Sequence, residues 1–338
     1  MIKLIFWGTP QFAVPSLQRL FRDDRFEVLG VVTQPDKRRG RGNQLIPSPV
    51  KQLALECGLP VWQPTRVKKD AQTLEELRSQ QADAFVVVAY GQILSPEILA
   101  MPRLGCINAH GSLLPAYRGA APIQWSIFNG DAVTGVTTMR MDAGMDTGPM
   151  LLKRSISVGL LDDVGAVAAR LAEVSADLLV ETLVALDRGS MTPEPQEETL
   201  ATYARLLEKT DFLMDWSRSA IALHNQARAF APNVTVRFRE QPLKVLKTVP
   251  LGLQWQDALP TDLQILTAEL AQREMQAFAP GAIVFLAKGQ GPVVQTGEGL
   301  LLLQSVQPAG KRQQSGWDFA NGLRLQVGDR LENGTLAS

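Results

Sequence analysis

The first 150 residues alternate short apolar runs with amphipathic stretches, and this alternation constrains the fold more than any other feature. Helical patterns lie at Val14–Phe21, from Ser48-Pro49 to Gly58, and at residues 70–80. Strands that alternate with helices predict an open, mostly parallel, Rossmann-like α/β sheet, which binds ligands at the carboxyl ends of its strands. The strand candidates are short and rich in β-branched and aromatic residues, as buried strands are: residues 2–7, 28–33, 84–90 and Cys106–His110.

A change of composition follows a long predicted helix at residues 162–186. Glycine, proline and glutamate become frequent there, which is typical of a linker. A chain of 338 residues is also long enough for two domains. We therefore predict a first domain at residues 1–187, a linker at 188–206 and a second domain at 207–338.

The second domain combines one helix with several short strands. The helix is predicted at residues 217–230 with Ser217 as its N-cap, and a polar helical insertion of unassigned role is predicted at 254–278. Short strands at close spacing, punctuated by glycine and proline, predict a small OB-like β-barrel. The strand-like runs are residues 234–238, 243–248, 282–286, 293–296 and 300–306.

Composition narrows the class of protein. Lys+Arg and Asp+Glu number 34 each, so any affinity for nucleic acid must come from local basic patches. The two cysteines, Cys57 and Cys106, belong to no CxxC or Cys/His cluster, which predicts buried thiols rather than a zinc site or a disulfide framework. Neither a membrane-length apolar run nor a signal peptide is recognisable, so we expect a cytoplasmic protein with no membrane partner.

The loop after the first predicted strand, Gly8-Thr9-Pro10-Gln11-Phe12, bears on cofactor binding. A dinucleotide-binding loop has the pattern GxGxxG, whereas this loop has one glycine and a proline where the backbone would approach the pyrophosphate. A P-loop is absent as well. The sequence therefore argues against a nicotinamide or flavin cofactor.

Asn108 and His110 are the first candidate catalytic pair. Residues two apart on a strand point to the same face, so both side chains are expected side by side where the strand gives way to a glycine-containing loop. An amide beside an imidazole can stabilise an oxyanion and transfer a proton. The alternative is a histidine whose nitrogens are satisfied by neighbouring backbone groups.

Asp142 and Asp146 form a second polar cluster in a glycine-rich loop after an apparent strand at residues 135–141. Acids at such positions can close turns by accepting backbone hydrogen bonds, or they can present a carboxylate to a site. The spacing of the two acids leaves both interpretations open. A calcium loop is disfavoured, because the Asp-x-Asp-x-Asp pattern and the distal glutamate are missing.

Further motifs accompany these residues: Ser112-Leu113-Leu114-Pro115, then Arg118-Gly119-Ala120-Ala121-Pro122-Ile123-Gln124-Trp125, and Asp142 to Gly148. Together with Asn108 and His110 they resemble the 10-formyltetrahydrofolate-dependent formyltransferase family. Within it, the chain is most similar to the members that act on methionyl-tRNA, and the similarity covers nearly its whole length. It departs from the family pattern at Asn233-Val234-Thr235, where an aromatic residue and a Pro-Gly turn are usual, and in the length of the 254–278 stretch.

The resemblance implies transfer of a formyl group from 10-formyltetrahydrofolate to the α-amine of methionine on initiator methionyl-tRNA. It implies that Asn108 and a protonated His110 donate hydrogen bonds to the oxyanion. Asp146 would accept the amine proton, directly or through water, or would orient His110. The folate site would be lined by Ser112, Leu113, Leu114 and Pro115. No metal is implied, and we expect a monomer.

Basic residues are the candidate tRNA contacts. Lys37, Arg38, Arg39 and Arg41 cluster in a stretch that glycine and proline mark as a mobile loop, although such a charge run can also be merely solvated. The resemblance implies that this loop, with Arg41, reaches the acceptor end of the tRNA. In the second domain, a basic face is predicted from Arg237, Arg239, Lys244, Lys247, Lys311 and Arg312.

Two other functions remain open. A formyltransferase of the same chemistry that acts on an amino-sugar nucleotide would share the Asn, His and Asp set, so that set does not discriminate between acceptors. The basic loop and the basic second domain favour tRNA over a sugar. A non-catalytic RNA-binding module on this fold is disfavoured, because it has no use for a complete catalytic set.

Overall fold

The computed structural model describes residues 1–39, 44–273 and 276–335. These residues divide into two compact units, which differ from the predicted division in two stretches of the first domain and in the predicted linker. The second unit includes Ile123–Ala132 and Ser157–Val167, both of which were predicted in the first domain. The first unit comprises Met1–Pro122, Val133–Ile156 and Ala168–Arg205, and the second also contains the residues from Leu206 onwards.

The first 205 residues contain eleven of the described strands and six of the described α-helices. The strands are β1 (Ile2–Gly8), β2 (Phe26–Val32), β3 (Lys37–Arg39), β4 (Gln44–Ile46), β5 (Val61–Trp62), β6 (Ala84–Val88), β7 (Cys106–His110), β8 (Arg118–Gly119), β9 (Val133–Arg140), β10 (Met150–Ser157) and β11 (Tyr203–Ala204). The helices are α1 (Val14–Phe21), α2 (Pro49–Glu56), α3 (Ala71–Ser79), α4 (Pro96–Leu99), α5 (Pro122–Asn129) and α6 (Val164–Asp187).

Seven of these strands form one sheet in the order β10-β9-β7-β6-β1-β2-β5. The strands β5, β2, β1, β6 and β7 run parallel to one another, whereas β9 pairs with β7 in antiparallel orientation. The predicted Rossmann-like, mostly parallel sheet is therefore confirmed. Its central strands are apolar because they are covered on both faces: in β6 every residue is buried, and in β1 only Lys3 is exposed.

Local capping signals position the helices. Ser48 precedes α2 as predicted, its hydroxyl accepts a hydrogen bond from the N–H of Lys51 at 3.0 Å, and Pro49 occupies the first turn. Asp70 caps α3 in the same way, through the N–H of Thr73 at 3.0 Å. These caps fix the residues at which the two helices begin.

The basic stretch near residue 40 differs from the predicted mobile loop. Lys37–Arg39 forms β3, which pairs in antiparallel register with β4. Charged residues have low strand propensity, so their pattern did not indicate a hairpin. Arg41 and the side chain of Arg39 lie outside the described residues.

The stretch predicted as a linker packs within the first unit. Glu194 forms an antiparallel bridge with Met150, a 3₁₀ turn covers Glu198–Leu200, and β11 pairs in parallel with β8. Proline and glycine interrupt regular strand pairing in this stretch, but the stretch remains bound to the first unit.

The second unit contains seven strands of one antiparallel sheet. They are β12 (Thr235–Phe238), β13 (Gln241–Leu251), β14 (Ile283–Ala287), β15 (Gly291–Gln295), β16 (Leu300–Pro308), β17 (Gln314–Ser315) and β18 (Leu331–Glu332), and the helices are α7 (Ala220–Phe230), α8 (Thr261–Gln272) and α9 (Gly316–Gly322). The order is β14-β15-β16-β13-β12-β18, with β17 on β16. A bridge between Ala282 and Arg330 brings the two ends of this order together, so the sheet curls as the predicted OB-like barrel does.

One prediction in this unit needs correction. The N-cap of α7 is Ser219, whose hydroxyl accepts from the N–H of Ala222, and not Ser217, whose N–H donates to Asp215 instead. The predicted 254–278 insertion is helical over α8, which buries three leucines against the sheet (Leu263, Leu266 and Leu270), while residues 274 and 275 lie outside the described ranges.

The two cysteines are both free thiols, and only one of them is fully buried. Burial raises the pKa of Cys106 to about 12, whereas Cys57 is half-buried rather than buried as predicted. Across the described ranges, no helix is long and apolar enough to span a membrane.

Candidate active site

Asn108 and His110 lie on β7, in the parallel part of the first unit's sheet, near the carboxyl end of that strand. Hydrogen-bonded strands on both sides hold its backbone, β6 on one side and β9 on the other. His110 is 6% exposed and Asn108 is half-buried, so the pair is placed in a recess rather than on the open surface. The strand period thus brings an amide and an imidazole to one end of the sheet, as predicted.

Asp146 comes to the same point from the connection between β9 and β10. Its Oδ1 lies 3.4 Å from the Nδ2 of Asn108, which donates to it, and its Oδ2 lies 3.6 Å from the Nδ1 of His110. The backbone N–H of Gly119 donates to Oδ2 at 2.8 Å. The structure therefore brings together the three residues that were predicted as catalytic.

The hydrogen bonds of His110 define its protonation pattern. Its Nε2 lies 2.9 Å from the backbone carbonyl oxygen of Tyr117. A carbonyl only accepts, so Nε2 carries a proton and donates. In the neutral ring Nδ1 is then unprotonated and faces the Asp146 carboxylate; a second proton on Nδ1 would form an ion pair with it. The alternative prediction was a histidine whose two ring nitrogens both bind neighbouring backbone groups. Here only Nε2 has a backbone partner, and Nδ1 remains available for proton transfer.

Asp142 has a different environment from Asp146. It is exposed, and its Oδ1 accepts from the N–H of Gly144 at 3.0 Å and from the hydroxyl of Thr147 at 2.7 Å. These are the bonds of an acid that closes a turn. The structure separates the two acids that the sequence left equivalent: Asp142 closes the loop, and Asp146 faces Asn108 and His110.

The predicted folate residues divide into two pairs. Ser112 and Leu114 are buried, with the Ser112 hydroxyl donating to the carbonyl of Ala116 at 2.6 Å. Thr137 fixes the same loop, because its hydroxyl accepts from the N–H of Leu114 and donates to the carbonyl of Ser112. Leu113 and Pro115 are half-buried and are the two whose side chains remain accessible.

Two backbone groups belong to the site and were not predicted, namely the carbonyl of Tyr117 and the N–H of Gly119. Backbone groups leave no side-chain pattern. Gly119 is nevertheless a detectable requirement: its φ is +118°, and a Cβ there would lie 2.7 Å from the carbonyl oxygen of Ala204.

The predicted tRNA contacts are dispersed over both units. Lys37 and Arg38 lie on the hairpin strand β3, and Lys311 and Arg312 are exposed after β16. Within the described residues, neither Lys311 nor Arg312 takes part in an ion pair, so both charges are available to an anionic partner. Two other basic residues that were predicted on this face have acidic neighbours: Nε of Arg237 lies 4.0 Å from Oε2 of Glu332, and a terminal nitrogen of Arg239 lies 3.6 Å from Oδ2 of Asp329.

Comparison with solved structures shows the fold. A sugar 3N-formyl transferase crystallised in the presence of dTDP and 5-N-formyl-THF aligns with a TM-score of 0.61 and 18% identity, covering 92% of this chain and 99% of that one. HypX from Aquifex aeolicus in complex with tetrahydrofolic acid aligns with a TM-score of 0.59 and 13% identity, covering 100% of this chain and 51% of that one. At these identities the likeness extends to the fold alone.

Comparison of sequences shows the family. The model described as "Formyl transferase" matches residues 2–183, and "Formyl transferase, C-terminal domain" matches residues 206–324. The chain is 62% identical to the methionyl-tRNA formyltransferase of Cyanothece sp. over 98% of its length and 99% of that protein's. It is 58% identical to that of Trichormus variabilis over 99% of its length and 100% of that protein's. The chain therefore belongs to the methionyl-tRNA formyltransferase family.

Proposed function

We propose that this enzyme transfers the formyl group of 10-formyltetrahydrofolate to the α-amino group of methionine on initiator methionyl-tRNA. The observation that carries the chemistry is the convergence of Asn108, His110 and Asp146 at the end of β7. The acceptor is supported by relatives at 53–62% identity over nearly the whole chain, all of which are methionyl-tRNA formyltransferases. Those identities favour tRNA over an amino-sugar nucleotide, because the sugar N-formyltransferase above shares only 18%.

The reaction needs a stabilised oxyanion. When the amine nitrogen attacks the formyl carbon, the carbonyl oxygen gains negative charge. Asn108 directs one N–H towards Asp146 and has a second N–H for this oxygen. A donor aimed at a developing oxyanion is typically worth about 3–4 kcal/mol of transition-state stabilisation.

The reaction also moves one proton. The attacking nitrogen loses a proton as its bond to the formyl carbon forms, and the N10 nitrogen of the folate gains one as its bond to that carbon breaks. Asp146 accepts the proton that the amine loses, directly or through water, and an imidazolium at His110 supplies the proton that N10 gains; transfer of the proton from Asp146 to Nδ1 of His110 then restores both groups. The N–H of Gly119 holds Oδ2 of Asp146, which leaves Oδ1 oriented towards Asn108.

The formyl donor and the tRNA occupy separate groups of residues in this proposal. The half-buried Leu113 and Pro115 present apolar surface to the folate, while the buried Ser112 and Leu114 fix the loop that carries them. The tRNA is bound by cations: Arg38 and Arg39 of β3, Arg41 two positions further along the sequence, and Lys311 and Arg312 of the second unit.

The test is a formylation assay with purified protein and 10-formyltetrahydrofolate. We expect formyl transfer to methionyl-initiator tRNA and none to a dTDP-linked amino sugar. Asn108→Ala should lower kcat by about a hundredfold or more with an unchanged thermal midpoint, because it removes an oxyanion donor. His110→Ala should do the same by removing the proton donor.

Asn321→Ala is the matched control, because Asn321 is an exposed asparagine of α9 in the second unit. It should retain wild-type turnover. Near-full activity of soluble Asn108→Ala would remove the assigned role of this residue, and formylation of the sugar rather than the tRNA would refute the acceptor.

A further inference from the structure

Asp146 has an unusual backbone conformation for a catalytic candidate. Its φ is +55°, in the left-handed region that residues other than glycine adopt infrequently. Such a conformation persists only where the surroundings fix it. Whatever holds this backbone therefore sets the direction of the carboxylate.

Gln196 is the side chain that holds it. Its Nε2 donates to the carbonyl oxygen of Asp146 at 2.7 Å and to that of Gly148 at 2.8 Å. One amide group thus spans the loop on both sides of Thr147. Its remaining polar atom, Oε1, accepts from the Nε of Arg118 at 2.9 Å, so every polar atom of the Gln196 side chain is engaged.

Arg118 fixes the orientation of that amide. Its side chain is fully buried, and its two terminal nitrogens donate to the carboxylate of Glu198 at 2.9 Å and 2.8 Å. The hydrogen bonds with Glu198 raise the pKa of Arg118, with burial acting in the opposite direction. A charged, bidentate guanidinium cannot accept a hydrogen bond, so it forces the Gln196 oxygen to face it and the nitrogen to face Asp146.

Arg118 also lies next to the group that holds the other end of Asp146. The following residue, Gly119, donates its N–H to the Asp146 carboxylate at 2.8 Å. The N–H of Arg118 donates to the carbonyl of Thr202 at 2.8 Å, on the same stretch as Gln196 and Glu198. Gln196 thus holds the backbone of Asp146, and Thr202 holds the Arg118-Gly119 segment whose N–H binds its carboxylate.

We propose that Gln196 is a positioning residue for Asp146, and that Arg118 and Glu198 set its orientation; this rests on the proposed function. Gln196 does not touch the reacting atoms. It acts on turnover rather than on substrate binding, because it directs the carboxylate that accepts the amine proton. The stretch that sequence composition assigns to a linker is thereby part of the catalytic unit.

The test compares Gln196→Ala, Gln196→Met and Gln196→Glu in the formylation assay. All three lack the two N–H donors, and we expect kcat to fall about tenfold to a hundredfold in each, with KM values changed less than about threefold. Met and Glu preserve the length of the side chain, so recovery of kcat in either would show that Gln196 merely fills space. Glu197→Ala is the matched control, because Glu197 is exposed and lies one residue away outside this network.

A double variant provides the sharper readout. If Gln196 acts through Asp146, adding Gln196→Ala to Asp146→Asn should cost less than about threefold beyond Asp146→Asn alone. Multiplicative losses would overturn the proposal. If Gln196→Ala fails to fold, the exposed substitution Glu198→Gln replaces it in the test. This variant should lower kcat severalfold because it frees Arg118, and an unchanged kcat would contradict the proposal. An inactive wild type would refute the proposed function instead, so the two failures are distinguishable.

Discussion

His224 should make the second unit sensitive to mild acid. The ring is 2% exposed in α7, and its Nε2 donates to the carbonyl of Leu160 at 2.8 Å. Nδ1 is then unprotonated and accepts from the hydroxyl of Thr248 at 2.9 Å. Burial is the main cause that lowers the pKa of His224 to about 4; the hydrogen bond with the Leu160 carbonyl opposes this shift, and the charge of Arg228 adds to it. The folded protein therefore holds this histidine neutral.

The direction of the pH effect follows from proton uptake on unfolding. An unfolded histidine has a pKa of 6.5, so between pH 6.5 and about 4 the unfolded chain binds a proton that the folded chain does not. The contribution of the neutral His224 to the free energy of unfolding is thus fully present above pH 6.5 and is lost as the pH falls. A shift of this size corresponds to about 3 kcal/mol at its limit, of which about 2 kcal/mol is lost by pH 5.

The assay is urea unfolding of the wild type and His224→Gln at pH 7.5 and pH 5.0. Glutamine can donate to Leu160 and accept from Thr248 without titrating, so the variant should lose about 2 kcal/mol less than the wild type between the two pH values. The chain has two histidines, and His110→Gln identifies their imidazole NMR signals. Equal pH-dependent losses in both proteins, or titration of His224 near 6.5, would refute the reasoning.

Two further predictions concern the active site and the tRNA. Asp146→Asn should lower kcat by about a hundredfold or more because it removes the proton acceptor, whereas Asp142→Asn keeps an oxygen for Gly144 and should retain most activity; the opposite ranking in steady-state kinetics would transfer the catalytic role to Asp142. Arg41→Ala should weaken the use of methionyl-tRNA and make its salt dependence shallower, while hydrolysis of the formyl donor without tRNA stays constant. Equal loss of both activities would mean that Arg41 shapes the catalytic site.

Elements with strong local signals were predictable from the sequence. The helix Val14–Phe21 and the strand Cys106–His110 have the predicted bounds, because apolar periodicity and flanking glycine or proline are local information. Elements stabilised by their partners were not predicted. β5 has only two residues. In the second half of β10, at the edge of the sheet, exposed residues alternate with half-buried ones. Neither stretch therefore has a continuous apolar run.

The part of the candidate site that was predictable depends on strand periodicity and on the family resemblance. The period placed Asn108 beside His110, and the resemblance selected Asp146. The contacts of Gln196 with Asp146 and of Arg118 with Gln196 join residues 50 and 78 positions apart. No periodic pattern connects positions at such separations, so these contacts become visible only in three dimensions.

Backbone hydrogen bonding explains why the predicted linker lies where it does. The loops at the carboxyl end of the sheet leave peptide groups without ladder partners, and buried peptide groups require partners. Gln196 supplies donors for two loop carbonyls, and Thr202 accepts the N–H of Tyr117 on its hydroxyl while its own N–H donates to the carbonyl of Pro115. A stretch rich in proline and polar side chains cannot form a sheet of its own, but an extended chain with polar groups can satisfy such loops. A composition that indicates a linker is therefore equally the composition of an extended segment that supplies hydrogen-bond partners to such loops.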